Sequence, residues 1–286
     1  MNKKNIKYAI LSYGNKLCTN IGDDIQSLAA IHLLKNNNIH EYVYINREKL
    51  KSYTGEPVRL IMNGWFMKNL DEFPPAKNIT PLFIGFHCSR EFNENIIKNI
   101  EYFKRFEPIG CRDIYTQHVF AKYNIKTYFS GCLTLAFDKV TKKNDLIYTV
   151  DCSPGEPGTA IGFSQIDIPL NLRYKDAIPI KHNHKDLNIQ SRFKKANELL
   201  DLYKSAKLVL TTRLHCALPC RAFGTNVIFM HKNYGKDRRF LGLEKYINGS
   251  SENAIKSCAP SKMTIQKDLT INIRKQLNTT FTHLIT

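Results

Sequence analysis

The residues best equipped for chemistry fall in one run, Thr212-Arg213-Leu214-His215. The run follows Leu208-Val209-Leu210, an apolar segment that reads as a buried parallel strand. A helix-like segment with Pro219 in its first turns comes next. In open α/β sheets, polar groups at the carboxyl end of a strand face the ligand crevice. A guanidinium there suits a carboxylate or phosphate, and an imidazole two residues on can move a proton near neutral pH. Taken alone, a packed strand-to-helix corner with a surface arginine explains the run equally well.

Four further stretches carry such residues where the pattern leaves a strand: Asn20-Ile21-Gly22-Asp23, Asn63-Gly64-Trp65, His87 and Arg112-Asp113. Each is weak by itself. Together, two arginines, two histidines and a glycine-bearing loop at a helix start make an anion-binding set. Asp23 and Asp24 also have a purely structural explanation, negative charge at a helix start. His182 and His184, in a polar loop, could touch phosphate but read first as solvated loop histidines, and His32, on an apolar helix stripe, as a packed one. Trp65, the single tryptophan, reads as packing ahead of sugar stacking. Lys236, Arg238 and Arg239 read first as a charged surface loop and second as a lining for an acceptor. Cys216 and Cys220 share a helix face beside His215, but no fourth ligand accompanies them and no metal is expected.

The elements that must position these residues alternate along the chain. Strands are expected at Tyr8 to Tyr13, Tyr42 to Ile45, Val58 to Met62, Pro81 to Phe86 and Ile109 to Cys111. Helices are expected from Ile25, with Ile25, Leu28, Ala29 and His32 on one face, from Asn95 to Phe106, and from Asp113 to about Tyr123. The polar stretch from Asp138 to Asp145 reads as a linker, after which the pattern restarts. Leu146 to Val150, Ala177 to Lys181 and Asn226 to Met230 are extended, and Ser191 to Ser205 is helical. A terminal helix is expected from about Ser261, with Ile265, Leu269, Ile273, Leu277 and Phe281 as its stripe. This implies an α/β chain of two doubly wound, Rossmann-like domains facing a cleft, at residues 1–140 and 141–286. The terminal helix is free to pack back on the first domain. No GxGxxG or Walker loop is present, so dinucleotide and P-loop readings lack support.

Composition narrows the classes. The 286 residues are 43% hydrophobic, enough for a sizeable core. No apolar run approaches the length of a membrane span, and the apolar run at Tyr8 to Leu11 is too short for a signal peptide. Eight scattered cysteines without a CxxC pair suit reduced thiols and a cytoplasmic setting. The net charge of +17 is spread along the chain, without a basic tail or a nucleic-acid signature. An anion-binding cleft on a basic surface is the simpler account, and peripheral contact with an anionic membrane face stays open.

The ordered set of motifs resembles the polysaccharide pyruvyl transferase family. It comprises Asn20-Ile21-Gly22-Asp23-Asp24-Ile25-Gln26, Asn63-Gly64-Trp65-Phe66, Pro81 to His87, Gly110-Cys111-Arg112-Asp113 with Thr116, and Ser130-Gly131-Cys132-Leu133-Thr134. Thr212-Arg213-Leu214-His215, Ala222-Phe223-Gly224-Thr225 and Arg239-Phe240-Leu241-Gly242-Leu243 complete it. The resemblance implies a glycosyltransferase-B-like fold with the N-terminal domain on the acceptor side and the C-terminal domain on the donor side. It further implies transfer of the enolpyruvyl carbons of phosphoenolpyruvate onto two hydroxyls of a sugar or lipid-linked oligosaccharide. The product is a cyclic pyruvate ketal in surface polysaccharide synthesis, and neither a cofactor nor a nucleic acid is implied. Arg213, Leu214, His215 and Arg112 are the residues it associates with the donor. Thr212, Asn20, Gly22, Asn63 and His87 complete the expected binding set. At 286 residues the chain is short for the family.

That chemistry suits the residues. Arginines hold the carboxylate and phosphate together. His215 is the candidate acid that protonates the methylene carbon. Asp23 is the leading carboxylate by position to serve as base, although its role at a helix start is the more economical reading. A glycosyltransferase of the same architecture, using a nucleotide-sugar donor, is the alternative.

Overall fold

The computed structural model describes residues 7–14, 19–66, 71–152, 176–186, 188–231, 234–247, 249–250 and 270–286. It is a mixed α/β fold with parallel sheets. The first sheet contains β1 (Lys7–Ser12), β2 (Tyr42–Asn46) and β3 (Val58–Ile61), with β4 (Trp65–Phe66) continuing beyond β3. β5 (Ile79–Leu82) and β6 (His87–Cys88) continue it, and β7 (Ile109–Cys111) and β8 (Thr127–Phe129) finish this half. The main ladder runs β2-β1-β3-β5. Backbone bonds from Phe86 N to Gly110 O and from Gly110 N to Phe83 O carry it on to β7 and β8. The second sheet holds β9 (Ile147–Val150), β10 (Ile178–Ile180), β11 (Leu208–Thr211), β12 (Asn226–Met230) and β13 (Gly249–Ser250). Its order is β10-β9-β11-β12-β13.

Counted in chain order, both sheets therefore begin second-first-third-fourth. A doubly wound sheet of that order binds its ligand beside the first strand, where the chain direction across the sheet reverses. The two crevices are the carboxyl ends of β1 and β3 in one sheet and of β9 and β11 in the other.

Between them lies α1 (Gly22–Asn36). The sequence predicts one apolar face, yet Ala30, Leu33 and Leu34 are buried as fully as Ile25 and Ala29, Ile31 is buried too, and Leu28 and His32 are half-buried. A helix that is apolar around most of its circumference is an interior helix. Here α1 packs on β1 on one side and on α5 (Ile189–Ser205) and α6 (Leu214–Phe223) on the other. One core cluster consequently runs through both halves, from Ile10 and Ile25 to Val150, Val209 and Phe223. The terminal helix α7 (Thr270–Ile285) buries Ile273, Leu277 and Phe281 in the same cluster. Its end is tied to the first sheet by Arg59, which donates to Ile285 O at 2.8 Å. Ile265 and Leu269 lie outside the described residues.

Two local departures from the sequence expectation have physical causes. The predicted helix Asn95 to Phe106 is two short helices, α2 (Asn93–Lys98) and α3 (Ile100–Arg105). The break falls at Asn99, whose side chain donates to Asn95 O at 2.9 Å, a local bond that competes with the helix. The predicted strand Pro81 to Phe86 ends at Leu82, and pairing resumes one residue out of register. Ile61 faces Leu82, but Trp65 faces His87. The extra residue is taken up around Gly85, which has φ +73°. A one-residue slip turns the following side chains of the bulged strand to the opposite face, so this bulge sets which way His87 points. The helix after β7 is α4 (Ile114–Ala121), capped by Asp113, which accepts from Thr116 N at 2.9 Å.

Candidate active site

Two helix starts meet at the cleft. Gly22 opens α1, and Leu214 opens α6. A Cβ on Gly22 would lie 3.0 Å from His215 Nδ1 and 3.1 Å from His215 Cβ. Only a residue without a Cβ allows this approach at no cost. The cleft between them encloses about 560 Å³, open mouth included. From the first half it is lined by Asn20, Asp23, Trp65 and Arg112. From the second it is lined by His182, Thr212, Arg213, Leu214 and His215, with His231, Arg239 and Phe240 from the following segment.

The switch point of the second sheet builds one wall. Asp151 ends β9 in the left-handed region, at φ +51°, a conformation that non-glycine residues hold only under surrounding constraint. Its carboxylate accepts from Arg213 Nε at 2.5 Å and from the His182 backbone N at 3.1 Å. Its carbonyl accepts from Thr212 Oγ1 at 3.2 Å. A single strained residue thus orients three members of the lining.

The opposite wall is fixed from behind. Asp113 Oδ2 lies 2.5 Å from His87 Nδ1 and 3.4 Å from Arg112 Nε. Burial first, then the Arg112 guanidinium, holds His87 below the ordinary imidazole value. A carboxylate can only accept, so neutral His87 carries its proton on Nδ1. Asn63 donates to Gln26 O at 2.7 Å, and Gln26 donates to Asp23 Oδ1 at 3.2 Å. Asn20 Oδ1 accepts from Gly22 N at 3.1 Å.

Of the residues expected from sequence, Asn20, Asp23, Arg112, Thr212, Arg213, Leu214 and His215 come together on the lining. Gly22 is packed on His215 rather than on the lining, and Asn63 and His87 support it from behind. His182 differs from its sequence reading. It is wholly buried, whereas its neighbours Lys181, Asn183 and Lys185 are exposed. Arg239 is more than surface charge: it lines the cleft and places its guanidinium 6.0 Å from the Trp65 ring. Arg192 carries no sequence signal of a role and is 0% exposed. It binds Asp24 at 2.6 and 3.2 Å and Asn20 O at 3.2 Å, locking α5 to α1 beneath the site.

Three arginines line the cleft, each beside an aspartate: Arg112 with Asp113, Arg213 with Asp151 and Arg239 with Asp237. The start of α1 also opens at it, a favourable place for an anion. Burial, and then Arg112, with His182, His87 and Arg239, holds His215 well below its usual value. Burial, and then Arg213, pushes His182 down to about 3. Several buried polar atoms of the lining lack a hydrogen-bond partner: Arg112 Nε, His215 Nε2, Trp65 Nε1 and both ring nitrogens of His182. Such a group costs about 1–3 kcal/mol, and clusters of them mark places where a ligand supplies the partner. Among the described residues, no group of three or more His, Cys, Asp or Glu is arranged to hold a metal. Cys88, Cys111, Cys132, Cys152, Cys216 and Cys220 are free and buried.

A polysaccharide pyruvyl transferase family model matches residues 20–230, from the Asn20 loop to the end of β12. The chain belongs to the polysaccharide pyruvyl transferase family. The matched region includes every lining residue of this pyruvyl transferase homologue except His231, Arg239 and Phe240. Membership implies pyruvyl transfer to a polysaccharide acceptor. No curated protein matches the chain. The crystal structure of an uncharacterized protein from Klebsiella pneumoniae aligns with this family member at 15% identity and a TM-score of 0.49, covering 82% of this chain and 87% of that one. Among the described residues, no helix is long and apolar enough to cross a membrane.

Proposed function

We propose that the cleft binds phosphoenolpyruvate and transfers its enolpyruvyl carbons to two hydroxyls of a sugar, as a cyclic ketal. The observation that carries this is that Arg112 from the first half and Arg213 from the second line one cleft with His215, and that buried ring nitrogens of that lining lack hydrogen-bond partners. Two guanidiniums suit a ligand with a carboxylate and a phosphate close together. In this reading residues 1–140 and 141–286 act as the two domains of a glycosyltransferase-B-like enzyme. It works in the cytoplasm, at the inner membrane face when the acceptor is lipid-linked.

The histidine's state refines the chemistry. Burial, and then the cations around it, Arg112 foremost, keep His215 neutral in the ligand-free cleft. An arriving polyanion offsets those cations, so donor binding and protonation of His215 occur together. The imidazolium then protonates the methylene carbon. The first sugar hydroxyl attacks the central carbon and gives its proton to Asp23. Phosphate leaves against the arginines, and the second hydroxyl closes the ring. Of the two hydroxyl protons, one ends on the new methyl group by way of His215 and the other on phosphate.

Purified protein incubated with phosphoenolpyruvate and candidate sugars should release phosphate only when an acceptor is present, and phosphoenolpyruvate should raise the melting temperature. Absence of both effects sinks the proposal. His215→Asn should retain donor binding while turnover falls about 10²-fold or more.

A further inference from the structure

From sequence His182 reads first as a solvated loop histidine and only second as a phosphate contact, and it lies outside the motifs that carry the family resemblance. Its backbone is fastened at the junction of the two halves. The amide donates to Asp151, the carbonyl accepts from Ile21 N at 3.3 Å, and the adjoining Asn183 bridges to Asn20. Its ring lies nearly parallel to Tyr203, with centroids 6.3 Å apart at 20°. The ring is wholly buried, lines the cleft, and has no hydrogen-bond partner on either nitrogen.

A packing role does not account for this. A phenyl ring would stack on Tyr203 equally well without burying two polar nitrogens. An imidazole always carries at least one N–H, and buried donors are normally paired. His215 and Trp65, which line the same cleft, likewise each hold a buried nitrogen without a hydrogen-bond partner. Arg213, held through Asp151 on the same loop junction, supplies a charge beside the ring.

We propose that His182 is a second ligand-contacting histidine, whose ring N–H donates to an oxyanion of the bound donor alongside Arg213. The assignment rests on reading the cleft as a site for an anionic donor.

The test uses the full chain with ring-¹⁵N histidine, observed by long-range ¹H–¹⁵N spectra. His182 and His215 are identified through His182→Phe, His182→Gln and His215→Asn. Inorganic phosphate and then phosphoenolpyruvate are titrated in. The ring resonances of both His182 and His215 should move and saturate together. His182→Phe should bind phosphoenolpyruvate about tenfold more weakly, the scale of one hydrogen bond to a charged group. If His215 responds while His182 stays still, this assignment is wrong and the donor site stands. If no histidine responds to either anion, the donor reading falls and takes this assignment with it. The wild-type spectra decide the question even if the phenylalanine variant folds poorly.

Discussion

Gly22→Ala sets helix stability against catalytic geometry. The new methyl would sit 3.0 Å from His215 Nδ1, 3.1 Å from His215 Cβ and 3.2 Å from Asn20 Oδ1. Each contact is several tenths of an ångström too short for comfort. The imidazole tip can tilt away, but His215 Cβ moves only if the start of α6 moves. Asn20 is held by its bond to Gly22 N. Alanine in a helix is worth about 0.5–1 kcal/mol over glycine, whereas overpacking costs about 1–3 kcal/mol. The net loss is about 0–2.5 kcal/mol, a few degrees of melting temperature for a chain of this size. Activity is more sensitive, since a 1 Å misplacement of a catalytic group costs about 10²-fold. A shift of several tenths of an ångström should lower kcat by roughly tenfold. Phosphate-release kinetics beside thermal denaturation separates the two effects. A folded variant with unchanged kcat would refute the idea that the Gly22–His215 contact sets the position of the imidazole.

Two further perturbations address the supports of the site. Arg192→Ala leaves Asp24 buried without its guanidinium and should cost about 3–5 kcal/mol in urea denaturation. Burial, opposed by Arg192, pushes Asp24 up to about 6. A raised carboxyl contributes stability that is full below the unfolded value near 3.8 and is lost as pH rises through 6. The stability of the wild type relative to Asp24→Asn should therefore decline between pH 4 and 6, and a flat difference would contradict it. Asp151→Ala should raise the donor KM about tenfold by releasing Arg213 from a charge-assisted bond. Asp151→Gly, which suits the positive φ, should be more stable than the alanine variant yet bind donor as weakly. Recovery of KM in the glycine variant would show that the backbone alone matters.

Much of the site was legible because its residues obey a local rule. Arg112, Thr212 and Arg213 stand where an apolar strand stops and Asn20 stands just before a helix start, and such positions read directly from hydropathy. His182 also follows a strand, β10, but Lys181, Asn183 and Lys185 around it are exposed. One buried side chain among exposed neighbours has no periodic signature over so short a span. Arg192 was hidden differently. It sits on a helix whose stripe of Phe193, Ala196, Leu199, Leu200 and Tyr203 explained the burial without it.

The sequence by itself determined the alternation of strands and helices, the parallel sheets and the family, because each rests on short-range pattern or on the order of motifs. Only the tertiary structure decided the partners. Gly22 meets His215, Asp24 meets Arg192, and Asp151 holds Arg213 together with His182. These residues lie far apart in the chain, and nothing local to either partner reports the other. They meet because both sheets reverse direction beside their first strand and α1 is buried between them. That arrangement brings two strand ends and two helix starts to one cleft. Burial there, beside Arg112 and Arg213, sets the protonation state of the histidines that a sequence can only name.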